Sequence, residues 1–187
     1  METISSNSQV AESAVKTLLA FIGEDPKRNG LLDTPQRVVR AWRELTQGYQ
    51  QNPAEILGRV FEQDCDEMVV LRGIRFYSTC EHHLLPFYGQ AVVGYLPGKV
   101  VGISKLARLV ECFARRLQIQ ERMTSQIANA IVDHLEAKGV GVVLKAHHMC
   151  MGCRGVEQSE AEMVTSAMLG QLRDSSEARA EFLRFTG

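Results

Sequence analysis

The sequence lacks any apolar run approaching the roughly 18 to 20 residues that a membrane-spanning helix requires, so no membrane-embedded body is expected. Its first residues, METISSNSQ, lack the basic and apolar regions of a secretory signal, which predicts a cytoplasmic protein. Charge of one sign is also missing: 21 Lys and Arg stand against 22 Asp and Glu, a formal net charge of -1. Aromatic residues amount to only 6%. Together these exclude the basic, aromatic-rich surface of a nucleic-acid binder and require any anion site to be local. The five cysteines, Cys65, Cys80, Cys112, Cys150 and Cys153, are an odd number without an export signal, which predicts reduced thiols and no disulfide framework.

What is present is enough to build a core, since 45% of the 187 residues are apolar and 23% charged. Ala11, Ala14, Val15, Leu18, Leu19 and Ile22 have helical spacing and stop at Gly23. Thr34 as N-cap and Pro35 in the first turn predict a second helix through Val38, Val39, Trp42 and Leu45. MVVLRGIRFYS and QAVVGYLP then read as antiparallel strands, with PFYG between them and LPGK as a further turn. Ser104 is placed to cap a helix carrying Leu106, Leu109, Val110, Phe113, Ala114 and Leu117, and Met123, Ile127, Ile131 and Leu135 mark another. Strands return at GVGVVLKAHHMC and EMVTSAML, before a short helix near residues 176–185. The expectation is an α+β protein, an antiparallel sheet with a pair of helices packed on one face. Residues 1–62 are expected to form a helical appendage and residues 63–187 the main body, effectively one domain.

Two short patterns carry chemistry. Cys80 and His83 form C-x-x-H, and Cys150 and Cys153 form C-x-x-C. Thiolate and imidazole are the ligands zinc prefers, so the pattern points to metal. Spacing leaves two arrangements open: four ligands closing a structural site, or three leaving a position for water. If VGVVLKAHHMCMGCR stays extended, His148, Cys150 and Arg154 share one face with Val142 and Leu144, while His147, Met149 and Cys153 take the other. That alternation favours three ligands and puts His148, a group able to exchange protons near neutrality, beside the metal.

The blocks STCEHHLLPFYG, VVGISKLARLVE, LQIQERMTSQIA and AHHMCMGCRGV resemble, in order and approximate spacing, the central blocks of type I GTP cyclohydrolases. The likeness runs from DTPQRV to MLGQLRDSSEARAEFL, most of the chain after about residue 30. It implies a tunnelling fold closed into an oligomeric barrel ring, typically a homodecamer of two stacked pentamers with active sites between subunits. It implies Zn2+ held by Cys80, His83 and Cys150, with Cys153 a departure from the usual family residue and not a ligand. The implied reaction is hydrolytic opening of the imidazole ring of GTP, release of formate and rearrangement to 7,8-dihydroneopterin triphosphate, the first step of tetrahydrofolate and pterin biosynthesis.

Individual roles follow from the same resemblance. His148 is the acid for N7 of guanine, and His82 and Ser104 serve the later sugar steps. Glu121, beside Gln120, accepts from N1 and the exocyclic amine of guanine, an edge adenine does not offer. Lys105, Arg108 and Arg154, with Arg37 from another subunit, hold the triphosphate, a task guanidinium groups suit and one that falls to side chains and helix ends because no Walker-type loop is present. Each has a plainer reading: Ser104 as a helix cap, Glu121 as an exposed carboxylate, the cations as solvated surface. Two rivals use parts of the same pattern. One is a deazaguanine-pathway enzyme on the same fold with a nucleophilic cysteine and no zinc, and the other a zinc-stabilised binding module without turnover.

Overall fold

The computed structural model describes residues 2–61, 63 and 65–187. It divides into two compact units, Met1–Thr46 and Gln47–Gly187. In the first, α1 (Glu2–Phe21) and α2 (Thr34–Leu45) are joined through a 3-10 turn at Asn29–Leu31. The apolar stripe of α1 does what its spacing predicts: Ala11, Val15 and Leu18 line a cleft with Val38, Val39 and Trp42 of α2. The N-cap of α2 is Asp33, with Thr34 already helical, so the start lies one residue earlier than expected.

The second unit opens with α3 (Pro53–Leu57), capped by Asn52, whose side chain accepts from the Ala54 amide. There follow β1 (Val60–Phe61), β2 (Val69–Cys80), β3 (Pro86–Leu96), β4 (Val100–Val101), α4 (Ile103–Ala114), β5 (Leu117–Gln118) and α5 (Gln120–Leu135). The chain ends with β6 (Gly139–His148), α6 (Met149–Gly152), β7 (Met163–Gly170), α7 (Gln171–Asp174) and α8 (Ser176–Arg184). The main sheet runs β5-β2-β3-β6-β7, and β1 pairs with β4 apart from it. Every pairing in the main sheet is antiparallel except β5 with β2, a two-residue parallel addition. The architecture is α+β, as the alternation of strand and helix patterns predicts.

One face of the sheet is covered by α4 and α5. Phe76, Phe87, Ala91, Val93, Tyr95, Val140, Val142 and Leu144 meet Leu106, Leu109, Val110, Met123, Ile127 and Ile131 in one buried core. Part of the other face carries a smaller core of Val92, Val143, Leu172 and Phe182. This explains why β6 reads as a continuous apolar run: its middle is buried on both sides. The Phe182 ring approaches the sheet over Gly94 and Gly141, where an added Cβ would lie 2.7 Å from ring carbons. In β2 the register shifts between Leu71 and Ile74, and Gly73 takes φ 72°, a bulge that bends the strand.

Three local expectations change. PFYG is not a turn but the start of β3, because Phe87 is fully buried and paired with Ser78 and His148 across the strands. The chain reverses earlier, through residues 81–85. Ser104 is not the cap of α4; Gly102 occupies that place and its carbonyl accepts from the Lys105 amide at 2.8 Å. Leu117 has left the helix for β5. No helix among the described residues is long and apolar enough to cross a membrane.

Candidate metal centre

Cys80 is the last residue of β2, where it pairs with Gln118 of β5. The reversal after it is tight: the Leu84 amide donates to Cys80 O at 2.9 Å, the Cys80 amide donates to Leu85 O at 2.8 Å, and Leu84 takes φ 56°. This turn swings His83 back until Nδ1 is 3.9 Å from Cys80 Sγ. The third member arrives from the end of β6, two strands along the sheet from β2. After His148 the strand coils into α6, and Cys150 Sγ joins the other two, all three donor atoms lying within 4.8 Å of one another. The predicted alternation therefore holds to His148 and not to Arg154. Cys153 is exposed and outside the cluster.

The three atoms suit one small cation. Tetrahedral zinc with bonds of about 2.0 to 2.3 Å sets its ligand atoms roughly 3.6 to 3.8 Å apart; the Cys80–His83 pair, at 3.9 Å, is near that spacing, and all three atoms lie within 4.8 Å of one another. Burial pushes the Cys150 thiol up, and the nearby Cys80 sulfur pushes it further in the same direction. Two sulfurs so placed ionise together only when a positive charge offsets them. The set can hold a metal ion.

Around the cluster, Glu81 is paired with Arg122 of α5, with a second contact of 3.3 Å to Nη1, and Arg122 Nε donates to Gln118 Oε1 at 3.2 Å. Gln118 in turn donates to Phe113 O at 3.0 Å and to Gln126 Oε1 at 2.8 Å. This chain of bonds anchors the Cys80 turn to both helices. His82 points outward, with Nε2 4.0 Å from Glu81 Oε1. His148 lies flat on Phe87, ring centroids 4.5 Å apart and planes 3° from parallel. Burial holds its pKa below the ordinary imidazole value, with Glu121 acting in the opposite sense and His147 reinforcing the fall.

The remaining candidates fall into three groups. Glu121, exposed in the first turn of α5, acts electrostatically on His148, and exposed Arg154 acts on Cys150, so both belong to this neighbourhood. Gln120, expected at the substrate, is 1% exposed and turns its side chain inward. Ser104, Lys105 and Arg108 sit on the first turns of α4, where Lys105 and Arg108 line an open cleft with Gln50, Asn52 and Glu55. Arg37 belongs to the first unit, is exposed, and contacts Asp33 at 3.2 Å. Sequence reasoning missed Phe87, Gln118 and Arg122. Phe87 was hidden in an apparent turn, whereas LQIQER carried a signal, two glutamines bracketing Ile119 at strand spacing, both of them buried.

The sequence model of the GTP cyclohydrolase I family matches residues 11–187. A protein of Wolinella succinogenes named GTP cyclohydrolase 1 is 58% identical over 174 residues, covering 92% of this chain and 93% of the relative. One of the same name from Nitrosospira multiformis is 52% identical over 182 residues, covering 96% and 95%. Among solved structures, the apo form of the archaeosine synthase QueF-Like overlays 58% of this chain and 97% of its own with a TM-score of 0.47 and 18% identity, a likeness too partial to bear on chemistry. Matched over nearly its whole length by the family and by relatives more than half identical, the chain belongs to the GTP cyclohydrolase I family.

Proposed function

We propose that this protein opens the imidazole ring of GTP, releases formate and yields 7,8-dihydroneopterin triphosphate. The observation that carries this reading is the convergence of Cys80, His83 and Cys150, with His148, two residues before Cys150, half-buried and stacked on Phe87, in a chain of this family. Cys80, His83 and Cys150 would hold zinc. Bound there, the ion would supply Lewis-acid activation of water.

The chain's own residues do the rest. His148 supplies a proton to N7 of guanine, making C8 more electrophilic, and partial burial, which lowers its pKa, makes the charged ring a readier proton donor. Glu121 accepts from N1 and the 2-amino group, a pairing that rejects adenine. Lys105, Arg108 and Arg154 hold the triphosphate, with Arg37 supplied by a neighbouring subunit. His82 and Ser104 serve the opening and rearrangement of the sugar.

Completing the site from neighbours requires a homo-oligomer, in this reading the tunnelling-fold ring, two pentamers stacked as a decamer. Exposed apolar side chains on α1 and just after it, Val10, Leu18, Phe21 and Ile22, support assembly, since a lone subunit leaves them in water. The test is incubation of purified protein with GTP, with and without a chelator, following formate and pterin fluorescence. Both products should appear, stop on chelation and return with zinc. Absence of formate from metal-replete protein would overturn the reading.

A further inference from the structure

Gln120 opens α5, and its side chain ties that helix to β6 and β7. Nε2 lies 3.1 Å from Leu144 O, 3.0 Å from Met163 O and 3.1 Å from Thr165 Oγ1. Two of these are backbone carbonyls, which only accept, so the nitrogen end of the amide must face them. The hydroxyls agree. Thr124 Oγ1 must donate to the carbonyl Gln120 O at 2.7 Å, which uses its single proton. It therefore accepts from Thr165 Oγ1 at 2.7 Å, and Thr165 is left to accept from Gln120. Every donor in this buried network has an acceptor, and its direction leaves no freedom to turn the amide over.

The oxygen end, Oε1, consequently points outward to His148 Nε2 at 2.8 Å. An amide oxygen only accepts, so this ring nitrogen carries hydrogen, and in the neutral ring the lone pair falls on Nδ1. Phe87 fixes the plane of the ring, and Gln120 fixes its rotation within that plane. We infer that Gln120 is a positioning residue that holds His148 as the Nε2–H tautomer, so that exchange of a proton with substrate takes place at Nδ1. The assignment of substrate to Nδ1 rests on the proposed function, whereas the tautomer does not.

Full-length, metal-loaded protein carrying ring-15N histidine is the sample for magic-angle-spinning NMR of sedimented material. There are five histidines, and the His148 signal is identified by its loss in His148→Gln. The expected spectrum at neutral pH has a protonated Nε2 and an unprotonated Nδ1; the reverse, or an even mixture, overturns the inference. Gln120→Met keeps the chain length and removes the acceptor. It should mix the tautomers and lower kcat roughly 100-fold, with KM for GTP within about twofold. A raised KM at unchanged kcat would make Gln120 a direct substrate contact and sink the positioning role. Should that variant fail to fold, the wild-type spectrum decides alone. If wild-type protein releases no formate, the proposed function fails while the tautomer is still read.

Discussion

Two adjacent cross-strand rows at one end of the sheet contain similar residues and have opposite fates. Ser78, Phe87 and His148 are register partners facing the helices, and Tyr77, Tyr88 and His147 are the next row, facing away. In the first, Phe87 is fully buried, His148 lies parallel on it, and Gln120 bonds the ring. In the second, Tyr77 and Tyr88 are 56% and 40% exposed, the Tyr88 and His147 rings are 6.1 Å apart and tilted by 42°, and His147 Nδ1 has no hydrogen-bond partner among the described residues. A histidine and an aromatic ring do not make a site by themselves. What differs is the cover: α5 supplies Gln120, Thr124 and Glu121 to one face, and among the described residues the other has no such helix over this row. Because side chains alternate, a one-residue slip in β6 would exchange the two histidines.

The largest contrast should lie within the C-x-x-C pair. Cys150→Ser is expected to remove bound metal and turnover together, read by metal analysis and formate release; retention of stoichiometric metal would break the three-ligand assignment. Next comes His148→Ala, for which kcat should fall by about 100- to 10,000-fold with metal retained. His147→Ala should stay within about threefold of wild type, and equal losses at both positions would erase the distinction between the faces. Phe87→Ala should cost about 3 to 5 kcal/mol of stability in urea unfolding against under about 1 for Tyr88→Ala, since only the first leaves a cavity. Glu121→Ala is expected to raise KM for GTP about tenfold or more at unchanged zinc content, in keeping with loss of charged hydrogen bonds; unaltered KM would remove Glu121 from guanine recognition. Cys153→Ser, the smallest effect, should leave stability within about 0.5 kcal/mol and keep the metal.

Much of this was legible in the residues. The spacing of Leu106, Leu109, Val110 and Phe113, and of Met123, Ile127 and Ile131, specified two amphipathic helices, and these residues are buried where expected. Cys80 and His83 were readable as a pair because three residues and a turn are enough to bring them together. Phe87 was not, since PFYG has the composition of a turn and becomes strand only because β2 and β6 flank it on either side. Nor was the inward turn of Gln120, whose acceptors Leu144 and Met163 lie 24 and 43 residues away.

The sequence by itself determined the chemistry available: the thiolate and imidazole ligands, the proton-carrying histidines, and the apolar stripes that select α4, α5 and the central strands. Such properties belong to single side chains and to local periodicity, and they need no partner to exist. Only the tertiary structure decided that the chain coils after His148 to bring Cys150 to the pair at the end of β2, and that His148 would lie on Phe87 with Gln120 on its ring nitrogen. Those outcomes depend on strand register and on packing between segments distant in sequence.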